Sequence, residues 1–209
     1  MADQLLKKYE LEGTLIKPKV NVLRKATEFV LIYNLDLPEL GKGTKAMVDS
    51  LKRLLVSDTS IKTEKMLDHK FIAEIREKFI QKSRDFMEKE AGKIPEEEKN
   101  YVIEMLVNEM LGLGPMEFLL LDGNLEEIVV NSAKEPVWVY HKEFGWLKTN
   151  IMFRDESEIQ NYGNIIARRV GKQITVLQPL LDAHLVTGDR ANATIFPISS
   201  AGNTITIRR

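Results

Sequence analysis

The sequence predicts an α+β fold: a mainly helical N-terminal region, then a small mixed or antiparallel sheet with a covering helix. Three observations lead there. Apolar residues recur at helical spacing through most of residues 44–111. Gly112-Leu113-Gly114-Pro115 then interrupts the pattern. Beyond it come short β-branched and aromatic runs separated by Gly, Pro, Asn and Asp, with one amphipathic helical stretch among them. This order divides the chain into a helical extension with a short strand pair over 1–110 and an α/β domain over 111–209.

The first element is a strand over 27–33, read from Thr27-Glu28-Phe29-Val30-Leu31-Ile32-Tyr33 and paired with an earlier strand near 13–22. Leu37-Pro38 closes it, because proline disfavours the helical region at the residue before it. Met47, Leu51, Leu54 and Leu55 predict a helix over 44–56 with Thr44 as its N-cap, followed by a loop at Asp58-Thr59-Ser60. Met66, Ile72, Ile75, Phe79, Phe86 and Met87, set among Lys and Glu, predict a helix over 63–91 that stops at Gly92. Pro95 suits the first turn of a further helix over 95–111, carrying Tyr101, Ile103, Met105 and Leu106. Heptads are not sustained, so these helices read as a bundle with a solvated face rather than a coiled coil.

After a short helical turn at 115–121 the sequence predicts strands over 126–131, 136–141 and 146–153. Asp155 caps a helix over 156–170 whose Ile159, Ile165, Ile166 and Val170 form an apolar stripe, and Gly171 ends it. Residues 174–208 read as short strands around Asp182, Gly188 and Gly202. Trp138 and Trp146 read as packing residues, and Gly112 and Gly114 as the joint between the two parts.

With 30 basic against 31 acidic residues among 209, the net charge is −1, which gives no general reason to expect a nucleic-acid partner. The chain has no cysteine, which excludes disulfides and thiolate chemistry and fits a reducing cytoplasm. No run of about 20 apolar residues exists to span a bilayer. Membrane association is therefore expected through a partner. Gly41-Lys42-Gly43-Thr44 is a fragment of a phosphate-binding loop, but the spacing requires glycine at 36, where Asp36 stands. Gly171-Lys172 fails likewise at Ile166. His69, His141 and His184 each stand alone, and no metal site is expected. Adjacent Glu126 and Glu127 point to opposite faces of a strand and cannot act as a carboxylate pair.

An ordered series of motifs runs through the second half. It begins with Leu111-Gly112-Leu113-Gly114-Pro115, Leu119-Leu120-Leu121-Asp122 and Glu126-Glu127-Ile128-Val129-Val130-Asn131. Val137-Trp138-Val139-Tyr140 with Gly145, and Phe153, Asp155 and Glu158, come next. Gln178-Pro179-Leu180-Leu181-Asp182-Ala183-His184-Leu185, Gly188-Asp189-Arg190-Ala191-Asn192-Ala193-Thr194 and Ile205-Thr206-Ile207-Arg208 complete it. Taken together, residues 110–209 resemble the N-terminal domain of the type II/type IV secretion ATPases, a family that includes pilus-assembly and archaeal surface-filament motors. His184 and Ala191 depart from the family pattern, and residues 1–110 resemble the variable extra N-terminal region of archaeal-type members.

The resemblance implies a C-terminal RecA-like motor domain that lies outside these residues and binds ATP and Mg. It also implies a homo-hexamer in the full-length protein and an inner-membrane platform protein as partner, on the cytoplasmic side. Arg190, Arg208 and Arg209 are then the residues expected to reach ATP phosphates, with Arg190 and Arg208 stabilising charge on the transferred phosphate. A guanidinium suits that role because it stays charged and presents a planar fork of donors. Judged from composition alone, Arg190 beside Asp189 or Asp182 is a salt bridge at a turn, Asp182 is its buttress or a turn cap, and Arg208-Arg209 is a solvated tail. The alternative function is an adaptor that recruits a motor to a membrane platform through the charged face at 64–99, without touching nucleotide.

Overall fold

The computed structural model describes residues 3–38, 42–58, 69–90, 94–185 and 187–209. Its elements run β1 (Gln4–Glu10), β2 (Lys19–Arg24), β3 (Ile32–Asp36), α1 (Lys42–Asp58), α2 (His69–Glu90), α3 (Glu96–Leu111) and α4 (Met116–Leu120). They continue β4 (Leu125–Val130), β5 (Trp138–His141), β6 (Gly145–Thr149), α5 (Glu156–Arg169), β7 (Leu180–His184), β8 (Arg190–Thr194) and β9 (Thr204–Arg208). The fold is α+β. Two compact units result: one gathers Met1–Leu11, Pro18–Asp36 and Phe118–Arg209, the other Glu12–Lys17 and Leu37–Glu117.

The first unit is built on a nine-stranded sheet in the order β1-β2-β3-β6-β5-β4-β9-β8-β7. Every neighbouring pair is antiparallel except β3–β6, which is parallel. Side chains alternate between faces along the regular stretches, with register shifts in β1 and in β4 between Leu125 and Glu127. One face therefore buries Leu181 and Ala183, Ala191 and Ala193, Ile205 and Ile207, Ile128 and Val130, Val139 and Leu147. Helix α5 supplies Ile159, Tyr162, Ile166 and Ala167 to this side. A Cβ on its Gly163 would sit 3.9 Å from the Ala193 Cβ, in ordinary contact. Asp155 is the N-cap as expected, its Oδ1 accepting from the Glu158 N–H at 2.9 Å. Along β7, β8 and β9 the opposite face is open, exposing Asp182, His184, Arg190 and Arg208, and carries the site.

The strand expected over 27–33 is displaced. Its first half is a turn, closed by the Glu28 N–H donating to the Lys25 carbonyl at 3.3 Å, and Phe29 is fully exposed. Pairing with β2 begins only at Ile32. Strand β1 was not anticipated. It is an edge strand with no fully buried residue, interrupted by an irregularity between Leu5 and Lys7, so its sequence lacks a clean two-residue period.

The second unit is a helical bundle. Val48, Leu51 and Leu55 of α1 meet Ile75, Phe79, Ile80 and Met87 of α2 and Val102, Ile103, Leu106 and Val107 of α3. Glu104 is buried among them, accepting from Arg76 at 3.1 Å and from the Leu15 N–H at 2.5 Å. Such an ion pair is tolerated because both partners are hydrogen-bonded. Thr44 is not the cap of α1. The helix starts at Lys42, so Thr44 lies in its first turn, buried, with its hydroxyl donating to Glu98 at 2.7 Å. The expected loop at Thr59-Ser60, Met66 and the stop at Gly92 lie outside the described residues, as does Gly41 of the phosphate-loop fragment.

Candidate functional site

Strand register brings Arg190 and Arg208 together. Arg190 of β8 lies directly opposite Arg208 of β9, and both belong to the open face. The row extends sideways. His184 on β7 faces Arg190, Glu127 on β4 faces Arg208, and Tyr140 and Trp146 follow on β5 and β6. Directly opposed positions on neighbouring strands lie about 4.5–5.5 Å apart, so two like charges there repel.

Each arginine is held by its own carboxylate. Arg190 forks onto Asp182, with Nε donating to Oδ1 at 3.1 Å and the terminal nitrogen to Oδ2 at 2.8 Å. That contact holds the Asp182 carboxyl below its usual range and raises the Arg190 guanidinium. Arg208 donates through Nε to Glu127 Oε1 at 3.1 Å. Both arginine side chains remain more than half exposed, and solvent weakens such pairs. Asp182 is thus the buttress of Arg190, across strands β7 and β8 rather than at a turn, while Asp189 lies near Arg209. Glu127 as the partner of Arg208 escaped the sequence reading, because only strand register reveals it.

Arg209 is not part of this cluster. It follows Arg208 in extended chain and so points the other way. Its Nη1 donates to the Asp122 carbonyl at 2.5 Å, and its Nε lies 3.8 Å from Asp189 Oδ1. Asp122 is itself a buried node. Its Oδ2 accepts from Tyr9 at 2.5 Å and Tyr33 at 2.9 Å, and its Oδ1 accepts from the backbone and side chain of Asn124, both at 2.9 Å. Burial first, then the Asp122 carboxylate, pushes both phenols well above their usual range, so they remain donors. The sequence showed Asp122 only as an acidic turn residue.

His184 is exposed on β7, whereas His141 is buried and its Nδ1 accepts from the Glu143 N–H at 3.0 Å. The His69 side chain lies outside the described residues. Among the described residues no group of three His, Asp or Glu side chains is placed to hold a metal. No described helix is long and apolar enough to cross a membrane. Trp146, read as a packing residue, keeps 47% exposure while meeting Tyr140 edge-on at 5.4 Å between centroids.

No protein-family model matches the chain. It is similar to three uncharacterized proteins of Methanocaldococcus jannaschii. MJ0900 is 30% identical over 200 residues, 93% of this chain and 34% of its own length. MJ1288 and MJ0781 are 34% and 40% identical over 97 residues, 46% of this chain and 38% and 13% of their own lengths. The chain thus spans about a third of the length of the relative it matches most extensively. Among solved structures, the VirB11 ATPase of the Brucella suis type IV secretion system aligns over 46% of this chain and 29% of its own. Identity there is 24% and the TM-score 0.37.

Proposed function

We propose that this chain is the non-catalytic N-terminal part of a hexameric secretion or pilus-assembly ATPase. In this reading the open sheet face meets the nucleotide of a motor domain. The supporting observation is the pair of opposed arginines. Two arginines root at directly opposed strand positions, each already paired to its own carboxylate, and a polyanion bound over them would relieve their mutual repulsion. Asp182 and Glu127 occupy one edge of each guanidinium and leave the remainder to a triphosphate. Arg190 and Arg208 would stabilise charge that develops on the transferred phosphate. The motor domain would hold ATP with its Mg, which would supply further positive charge to the phosphates. A phosphate role for Arg209 requires its guanidinium to leave the Asp122 carbonyl.

The test is steady-state ATP turnover by the protein that joins this chain to a motor domain, comparing wild type with Arg190→Gln and Arg208→Gln. Each substitution is expected to lower kcat by about a hundredfold or more with the fold intact. Turnover near wild type in both variants refutes the phosphate role and leaves recruitment as the function.

A further inference from the structure

The other side of the same sheet carries a second feature. Helix α5 ends in a motif in which the Lys172 N–H donates to the Ala167 carbonyl at 2.8 Å and the Gly171 N–H to the Arg168 carbonyl at 3.1 Å. Gly171, at φ +67°, supplies the left-handed residue this motif needs. The chain then returns along the helix, fixed by Ile174, which is buried and lies 3.9 Å from where a Gly163 Cβ would stand. Between helix and returning segment lies an open pocket of about 390 Å³. That volume falls within the range of about 300–1,000 Å³ typical of small-molecule sites.

Its lining is chemically one-sided. Asn161, Asn164 and Arg168 face it from α5, and Lys172, Gln173 and Thr175 from the returning segment. Each of these can donate hydrogen bonds, and no carboxylate contributes. Arg168 spends Nε on the Asn164 carbonyl, and Lys172 donates to the Asp182 carbonyl at the sheet edge. Among the described residues neither cation has a carboxylate within ion-pairing distance. The helix's last carbonyls would repel an anion if bare, but its own terminal turn already occupies the Ala167 and Arg168 carbonyls.

We propose that this pocket binds a phosphate group. A guanidinium fork, an ammonium, three amides and a hydroxyl match an anion with several oxygens better than a single carboxylate. The phosphate comes from a soluble compound or from a lipid headgroup. The neighbouring turn projects Val176 and Leu177, the latter 93% exposed, as an apolar tip suited to a lipid surface. The pocket does not include Arg190 or Arg208, although Lys172 reaches the carbonyl of Asp182, and its test involves no ATP turnover.

The experiment titrates the 209-residue chain with pyrophosphate in one arm. The other arm uses phosphatidylcholine vesicles with and without phosphatidylglycerol. Backbone amide shifts at Lys172–Thr175 and co-sedimentation are the readouts. In the first arm, saturable shifts at these amides are expected, with affinity falling about tenfold or more in an Arg168→Gln/Lys172→Gln variant. Binding only to phosphatidylglycerol vesicles, lost in the same variant and weakened by Leu177→Ser, assigns a lipid source. Absence of binding in both arms overturns the proposal. So does binding that the double variant leaves unchanged. Both substituted side chains are exposed, and unaltered tryptophan fluorescence checks that the variant folds.

Discussion

Replacing Asp122 by alanine tests the physical account of the first unit most directly. The substitution deletes the acceptor for four donors: the Tyr9 and Tyr33 hydroxyls and the two nitrogens of Asn124. Tyr33 is fully buried, so its stranded hydroxyl cannot turn to water and loses about 1–3 kcal/mol. Tyr9 and Asn124 are only partly buried and together add about 1–2 kcal/mol. Removing a carboxylate that is 1% exposed returns part of this by ending its desolvation. The net expectation is a loss of about 2–4 kcal/mol, a large share of the ~5–15 kcal/mol typical of a domain. Urea denaturation followed by the fluorescence of Trp138 and Trp146 measures it. Tyr33→Phe should cost less alone and nearly nothing in the alanine background, because the two changes remove one interaction. An Asp122→Ala protein within about 0.5 kcal/mol of wild type would refute the reasoning.

Two further outcomes are expected. Burial holds the His141 imidazole below its ordinary value of 6.5, and protonation of Nδ1 would break its bond from the Glu143 N–H. The unfolded chain therefore takes up this proton first as pH falls. Stability should be intact above about 6.5 and decline below it until the folded-state pKa is passed. Urea midpoints at pH 7.5 and 5.5 should differ in wild type and converge in His141→Gln. Gly202→Ala should be strongly destabilising. The backbone there has φ +154°, and a Cβ would lie 2.4 Å from Ser132 Cβ and 3.0 Å from its Cα. Strain and overlap together predict a loss of about 2–4 kcal/mol, read from the thermal midpoint.

Much of the local structure was legible in the chain itself. Apolar spacing located α1, α3 and α5 to within two residues, because a helix writes its buried face into its own period. The Asp155 cap and the Gly171 stop follow from local backbone chemistry and need no distant partner. The strands from β4 onward were recognisable too, although the one expected over 146–153 ends at Thr149. Alternation was a poorer guide at Glu126 and Glu127, where β4 shifts register between Leu125 and Glu127, and the sequence grouped Arg209 with Arg208 although the two diverge in the fold.

Pairing was a different matter. Thr27–Tyr33 has strand-forming composition, yet a turn at Lys25–Glu28 delays the strand to Ile32, and that start is chosen by the partner β2. Nothing local announces that β3 lies parallel to β6, or that β1 adds an edge by pairing with β2 and sends Tyr9 to Asp122. The site has the same character. Arg190 and Arg208 were candidates individually. That they stand opposite each other, with Asp182 and Glu127 at their sides, depends on the register of four strands separated by up to 81 residues. The residue types and their faces are local properties of the chain. Which charges meet is decided by long-range hydrogen-bond register, a property of the folded sheet alone.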